Sequence, residues 1–228
     1  MAQRHRTDAI SFSAEASFYG QSGTEDYLPW SIGLKDILFT TPTLSNDIAE
    51  LEPVSQPPKN SDFSFHEDEW SQIEFFPKTQ LAKVQQLLKE FKPFEEENRT
   101  QYGWRKVYVR RIQRLPVITG AQSVEQLEKL LNARVGSAPL LFSSGAVTGR
   151  VKNGFSLSLE GNITLYGYSD AGGIPVLGVI VGENPDNSKL TDAFMKLNLS
   201  HGLILVDWRS QIVWVSVNQS DPVEIWRP

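Results

Sequence analysis

The sequence predicts an α+β fold, a mainly antiparallel sheet with about three helices packed against it. Three observations predict it. Strand-like and helix-like stretches are mixed along the chain and do not form regular β–α–β units. The strand-like stretches are joined by short turns, which connect antiparallel neighbours. Three other stretches carry apolar residues at three- and four-residue steps, the period of a helix with one buried face.

Residues 1–60 are the least regular. "ISFSAEASFYG" alternates at Ile10, Phe12, Ala14, Ala16 and Phe18, which suits a half-buried strand. "GLKDILF" reads as a short helix or strand, and the proline-rich "LEPVSQPPKNSD" as a surface loop. "SQIEFF" then reads as a strand, with Pro77 at the first turn of the next helix. That helix carries Leu81, Val84, Leu87, Leu88, Phe91 and Phe94 on one face, and Pro93 or the "EEEN" run should end it. "WRKVYVRRIQRLPV" is β-rich. "SVEQLEKLLN" is a second helix with Ser123 as N-cap, Gln126 completing a capping box, and Leu127, Leu130 and Leu131 inward.

From about 138 onward the chain is mostly strand. Three strands are expected through "GFSLSLEGNITLYGYSDAGGIPVLGVIVG", turning at Glu160-Gly161-Asn162 and at Asp170 to Gly173. "ENPDNSKLTDAFMKLNLSHG" is the third helix, capped by Asn187 or Ser188, with Leu190, Phe194 and Leu197 inward and Gly202 at its C-terminal end. "LILVDWRSQIVWVSV" reads as a hairpin turning near Arg209-Ser210, and "PVEIW" as a final edge strand. A single domain over 1–228 is expected, with residues 133–150 the one place for a subdivision.

Composition narrows the function classes. The chain has 228 residues, 40% apolar and 21% charged, which describes a globular protein with ample core material. The net charge of −5 disfavours general nucleic-acid affinity, because phosphate binding needs a positive field. With no cysteine there is no disulfide, thiolate zinc site or cysteine nucleophile. No membrane-length apolar run occurs, and no apolar stretch follows the basic start, so a soluble cytoplasmic protein is expected.

The oddest stretch is "FHEDEWSQIEFF". On a continuous strand His66, Asp68, Gln72 and Glu74 share one face. A histidine with two carboxylates can bind a divalent metal, so His66, Asp68 and Glu74 are the candidate set for a metal-dependent enzyme. The competing readings are a solvated acidic edge before a buried strand, or a contact surface for a basic partner. "WRKVYVRRIQR", residues 104–114, interleaves Arg105, Lys106, Arg110, Arg111 and Arg114 with Trp104 and Tyr108, a pattern that can bind single-stranded nucleic acid. No nucleophile elbow, Walker loop or dinucleotide fingerprint is present. His201 falls at the end of the third helix, where a histidine commonly serves as a dipole-favoured cap.

Three passages carry a resemblance: "HEDEWSQIEFFPKTQL", "GWRKVYVRRIQR" and the tail "KLTDAFMKLNLSHGLILVDWRSQ…EIWRP". Together, over residues 62–228, they resemble a group of proteobacterial proteins similar to the immunity proteins encoded beside polymorphic or type VI secretion toxins. The resemblance implies a non-enzymatic antitoxin. It would have no cofactor, metal or catalytic residue, and would bind a cognate protein toxin that acts in the cytoplasm, such as a nuclease. On that reading Glu67, Asp68, Glu69 and Trp70 are partner-binding residues, and Glu95, Glu96 and Glu97 extend the same patch. Oligomeric state is not readable from the sequence.

Overall fold

The computed structural model describes residues 38–55, 57–59, 62–217 and 223–228. The strand expected at residues 10–18 and most of "GLKDILF" lie outside them. The described strands, in chain order, are β1 (Thr43–Ser45), β2 (Leu51–Glu52), β3 (Ser64–His66), β4 (Ile73–Pro77), β5 (Tyr108–Arg110), β6 (Ile118–Thr119), β7 (Val135–Gly136), β8 (Leu140–Ser143), β9 (Ala146–Val151), β10 (Gly154–Ser158), β11 (Ile163–Asp170), β12 (Gly173–Val181), β13 (Leu203–Asp207), β14 (Ile212–Ser216) and β15 (Glu224–Trp226). The helices are α1 (Leu81–Asn98), α2 (Ser123–Leu131) and α3 (Asn187–His201).

The main sheet has nine strands, ordered β15-β14-β13-β4-β12-β11-β10-β7 with β6 on β12, and all its pairings are antiparallel. A four-stranded sheet, β2-β9-β8-β3, and a parallel pair, β1-β5, complete it. The expected α+β architecture is therefore present, with two short parallel pairings.

The pleat sorts the core. Neighbouring residues of a strand point to opposite faces. Phe75, Leu203 and Leu205 join Leu177, Val179 and Leu165 under α2 and α3, which contribute Leu127, Leu131, Leu190, Phe194 and Leu197. Phe76, Ile204 and Val206 point the other way and meet Val84, Leu87 and Leu88 of α1. Further along that second face, Tyr166 and Val176 pack against Leu141 and Val151 of the smaller sheet. The smaller sheet thus shares a buried cluster with the main one.

Local signals mostly place the elements as read. The turns at 160–162 and 170–173 separate β10, β11 and β12, and the β13–β14 turn spans residues 208–211. Gly202 closes α3 in the left-handed conformation, φ 62°, which glycine adopts without a Cβ penalty.

Three boundaries differ from the sequence reading, and Leu51–Glu52, the start of the expected surface loop, form β2. Pro77 ends β4, and a 3-10 turn over Lys78–Gln80 precedes α1. Of the two expected ends of α1, the "EEEN" run is the one that closes it, at Asn98, with Pro93 inside the helix; the proline is exposed, so water can take the carbonyl it leaves unbonded. Ser123 is the first residue of α2 and is buried, its amide bonded to Gly120, so Gln122 occupies the cap and no capping box forms. The α3 cap is Asp186, whose carboxylate accepts from the Ser188 amide.

Candidate contact surface

β3 runs into a 3-10 turn made of Glu67–Glu69, so the strand is broken where the acids fall. His66 caps that turn by accepting the Asp68 amide through Nδ1 at 3.2 Å. A nitrogen that accepts an amide hydrogen is the unprotonated one. The Asp68 carboxylate lies 3.5 Å from the same nitrogen. Burial, with Glu67 and Glu69 adding to it, pushes the Asp68 carboxyl above its ordinary range against the pull of His66.

The break separates the expected metal set. Beyond it, Gln72 points inward and its amide donates to the carbonyls of Thr43 and Asp68. Glu74 is 1% exposed and accepts from Trp208 Nε1 at 2.8 Å and from Arg114. Its carboxylate is thus committed to the interior, away from His66 and Asp68. Among the described residues no group of three His, Asp or Glu side chains is placed to hold a metal ion.

Trp70 also turns inward, which corrects its assignment as a contact residue. It is 2% exposed, packs on Phe65 and Tyr166, and donates its indole hydrogen to the Asp47 carbonyl at 3.1 Å. An indole so enclosed is core. A small cavity of ≈ 20 Å³ beside it, lined by Leu44, Ile48, Glu67 and Asp68 among others, has room for about one water molecule.

Glu67, Asp68 and Glu69 are part-exposed, Glu95 is mostly covered and Glu96 and Glu97 are exposed, and the two acidic runs meet at one feature. Arg209, in the β13–β14 turn, donates to Glu69 at 2.6 Å. Gln211, two residues on in the same turn, donates to Glu95 at 2.7 Å. Glu95 also receives Arg99 at 3.0 Å and Lys92 at 3.4 Å. Burial pushes the Glu95 carboxyl up, but the bond from Gln211 and the two cations outweigh it and hold the group below its ordinary value. Glu67, Glu96 and Glu97 have no ion pair among the described residues, and Glu96 and Glu97 are exposed.

Beneath this surface lies a polar seam that sequence reasoning missed. Arg110 is 2% exposed; it donates to Thr43 Oγ1 and to the Ser71 carbonyl, both at 2.8 Å, and lies over the Trp208 ring. Arg114 grips Glu74, Asp47 and Ser45. The Ser71 amide donates to the Tyr166 hydroxyl at 2.7 Å. Burial brings Arg110 down to about 10 despite the pull of Glu74. Burial also opposes the charge on Arg114, but Glu74 and Asp47 more than offset it and raise the group. Arg114 is thus paired with two carboxylates, while Arg110 is held by two neutral oxygens and feels Glu74 only at longer range.

That seam takes two of the cations on which the nucleic-acid reading of 104–114 rests. Of its five cations, Arg110 and Arg114 serve the interior. The aromatics are taken as well: Trp104 packs on Phe91, and Tyr108 on Phe91 and Phe94 of α1. Arg105, Lys106 and Arg111 stay exposed. No helix among the described residues is long and apolar enough to cross a membrane. Comparison with protein-family models, curated proteins and solved structures returns no match.

Proposed function

We propose that the chain is a non-enzymatic binding protein of the immunity type. Its acidic face, Glu67, Asp68, Glu69, Glu95, Glu96 and Glu97, docks on a basic surface of a cognate protein toxin in the cytoplasm and occludes its active site. The observation that carries this reading is the meeting of both acidic runs at the 208–211 turn, through Arg209–Glu69 and Gln211–Glu95. The paired acids anchor the face to the scaffold. Glu67, Glu96 and Glu97, without ion pairs among the described residues, supply the field. Arg114 does not dilute it, because it is paired with Glu74 and Asp47.

A negative face suits a toxin with a basic substrate cleft, such as a nuclease. Complementary charge raises the association rate and rejects partners of like charge. Nuclease–immunity pairs reach dissociation constants down to about 10⁻¹³ to 10⁻¹⁶ M.

The test is co-expression with the product of the adjacent gene. Toxicity of that product alone, relieved by a stoichiometric complex, supports the reading. A harmless neighbour that forms no complex sinks it. Within a complex, the triple variant Glu67→Lys, Glu96→Lys, Glu97→Lys should slow association and remove most of its salt dependence. An unchanged rate would take the face out of the interface and leave the immunity role standing.

A further inference from the structure

A separate feature lies on the face of the main sheet covered by α2 and α3, opposite α1. Between the end of α2, the end of β10 and α3 is a cleft of ≈ 300 Å³. That is at the lower end of the range that holds small ligands, about 300–1,000 Å³. Its accessible lining is mainly polar; of its apolar residues Leu131 and Ala193 are buried, 7% and 3% exposed.

The charges on its rim are left over from internal pairing. Lys189 is 3.3 Å from Glu160 and so is neutralised. Arg134 and Lys196 have no ion pair among the described residues, and neither has Asp192. Asp192 stands four residues before Lys196 on α3, a spacing at which such side chains commonly pair. Here both line the cleft unpaired. Two cations and one carboxylate therefore remain unpaired around a mainly polar cleft, a local excess of positive charge in a chain of net charge −5.

We propose that this cleft binds a small hydroxylated anion, a carboxylate or a phosphate ester. The anionic group pairs with Arg134, whose planar fork matches carboxylate and phosphate oxygens, and with Lys196. The ligand hydroxyl donates to Asp192, and the mainly polar lining suits a small ligand with little apolar surface. The site is independent of the acidic face and of the toxin-binding reading.

The test is titration calorimetry of the whole chain with citrate, with tricarballylate (citrate without its hydroxyl) and with glycerol 1-phosphate. Saturable 1:1 binding of citrate or glycerol 1-phosphate is expected, with citrate tighter than tricarballylate. Arg134→Gln and Lys196→Gln should each weaken it by about 10-fold or more, the loss of one charge-assisted hydrogen bond. Both are exposed or rim positions, and unchanged thermal unfolding confirms that the fold is intact. Absence of saturable binding by both citrate and glycerol 1-phosphate overturns the proposal. Binding that is indifferent to both variants overturns it as well, as does tricarballylate binding equal to citrate.

Discussion

The indole hydrogen of Trp208 meets a carboxylate oxygen of Glu74 at 2.8 Å, across 134 residues of chain. The other oxygen of the same carboxylate takes Arg114. A strand residue, a turn residue and a residue of the extended segment after β5 are joined at one buried charge. This junction lies between the cluster under α1, which holds Trp208, and the cluster under the smaller sheet, which holds Tyr166.

Glu74→Gln removes the charge opposite Arg114 while keeping the shape. Arg114 then keeps only the part-exposed Asp47 as a counter-charge, so the protein should be destabilised by about 3 kcal/mol, the lower end of the cost of breaking a buried pair. The midpoint and slope of urea unfolding measure it. A change under about 1 kcal/mol would mean that water reaches Arg114 in place of the carboxylate.

Trp70→Ala should destabilise by about 3–5 kcal/mol, because it empties a packed site between Phe65 and Tyr166. Glu67→Lys, three residues earlier, should stay within about 0.5 kcal/mol of the parent. Paired urea curves distinguish the two roles. A stable Trp70→Ala protein would return the tryptophan to the surface.

Gly178 makes room for the ring of Tyr166: a Cβ there would overlap the ring and its hydroxyl. The overlap arises because Tyr166 and Gly178 are directly paired on neighbouring strands. Gly178→Ala should therefore cost about 1–3 kcal/mol. In a Tyr166→Ala background the same substitution should cost much less, and a double-mutant cycle reads the coupling. Additive losses would assign the strain to the backbone.

Two acids of the candidate face should respond to pH with opposite signs. Glu95 titrates below its ordinary 4.5 when folded. The unfolded chain then takes up its proton first, so the stabilisation is complete above that value and is lost as pH falls through the folded pKa. Asp68 titrates above its ordinary 3.8 when folded. The unfolded chain ionises more readily there, so stability is lost as pH rises through the interval between the two values. Asp68→Asn should accordingly stabilise the protein at neutral pH, while Glu95→Gln should destabilise it. NMR titration of the side-chain carboxyl carbons, alongside unfolding curves at each pH, checks both signs.

Periodic and turn-forming elements were legible because their signals are local. The α1 stripe of Val84, Leu87, Leu88 and Phe91 is buried as its spacing implies. The turns at 160–162, 170–173 and 208–211 fall where glycine and polar residues interrupt apolar runs. Cap identities slipped by a residue or two at α2 and α3, because several neighbouring polar residues can bond to the first turn and only the chain's entry angle selects among them. The shared face of His66 and Glu74 assumed an unbroken strand, and three consecutive acids formed a 3-10 turn instead.

The sequence by itself determined the three helices and the longer strands from β10 to β14, and which side of each is apolar. Those properties follow from backbone geometry acting over a few residues. It also placed both acidic runs. Only the tertiary structure decided that Trp70, Arg110 and Glu74 are inside, and that Glu69 and Glu95 share one turn through Arg209 and Gln211. A polar or charged group can be buried only where a complementary partner waits for it. For Arg110 the partners are Thr43, 67 residues away, and Ser71, 39 residues away. No short window of sequence contains both halves of such a pair.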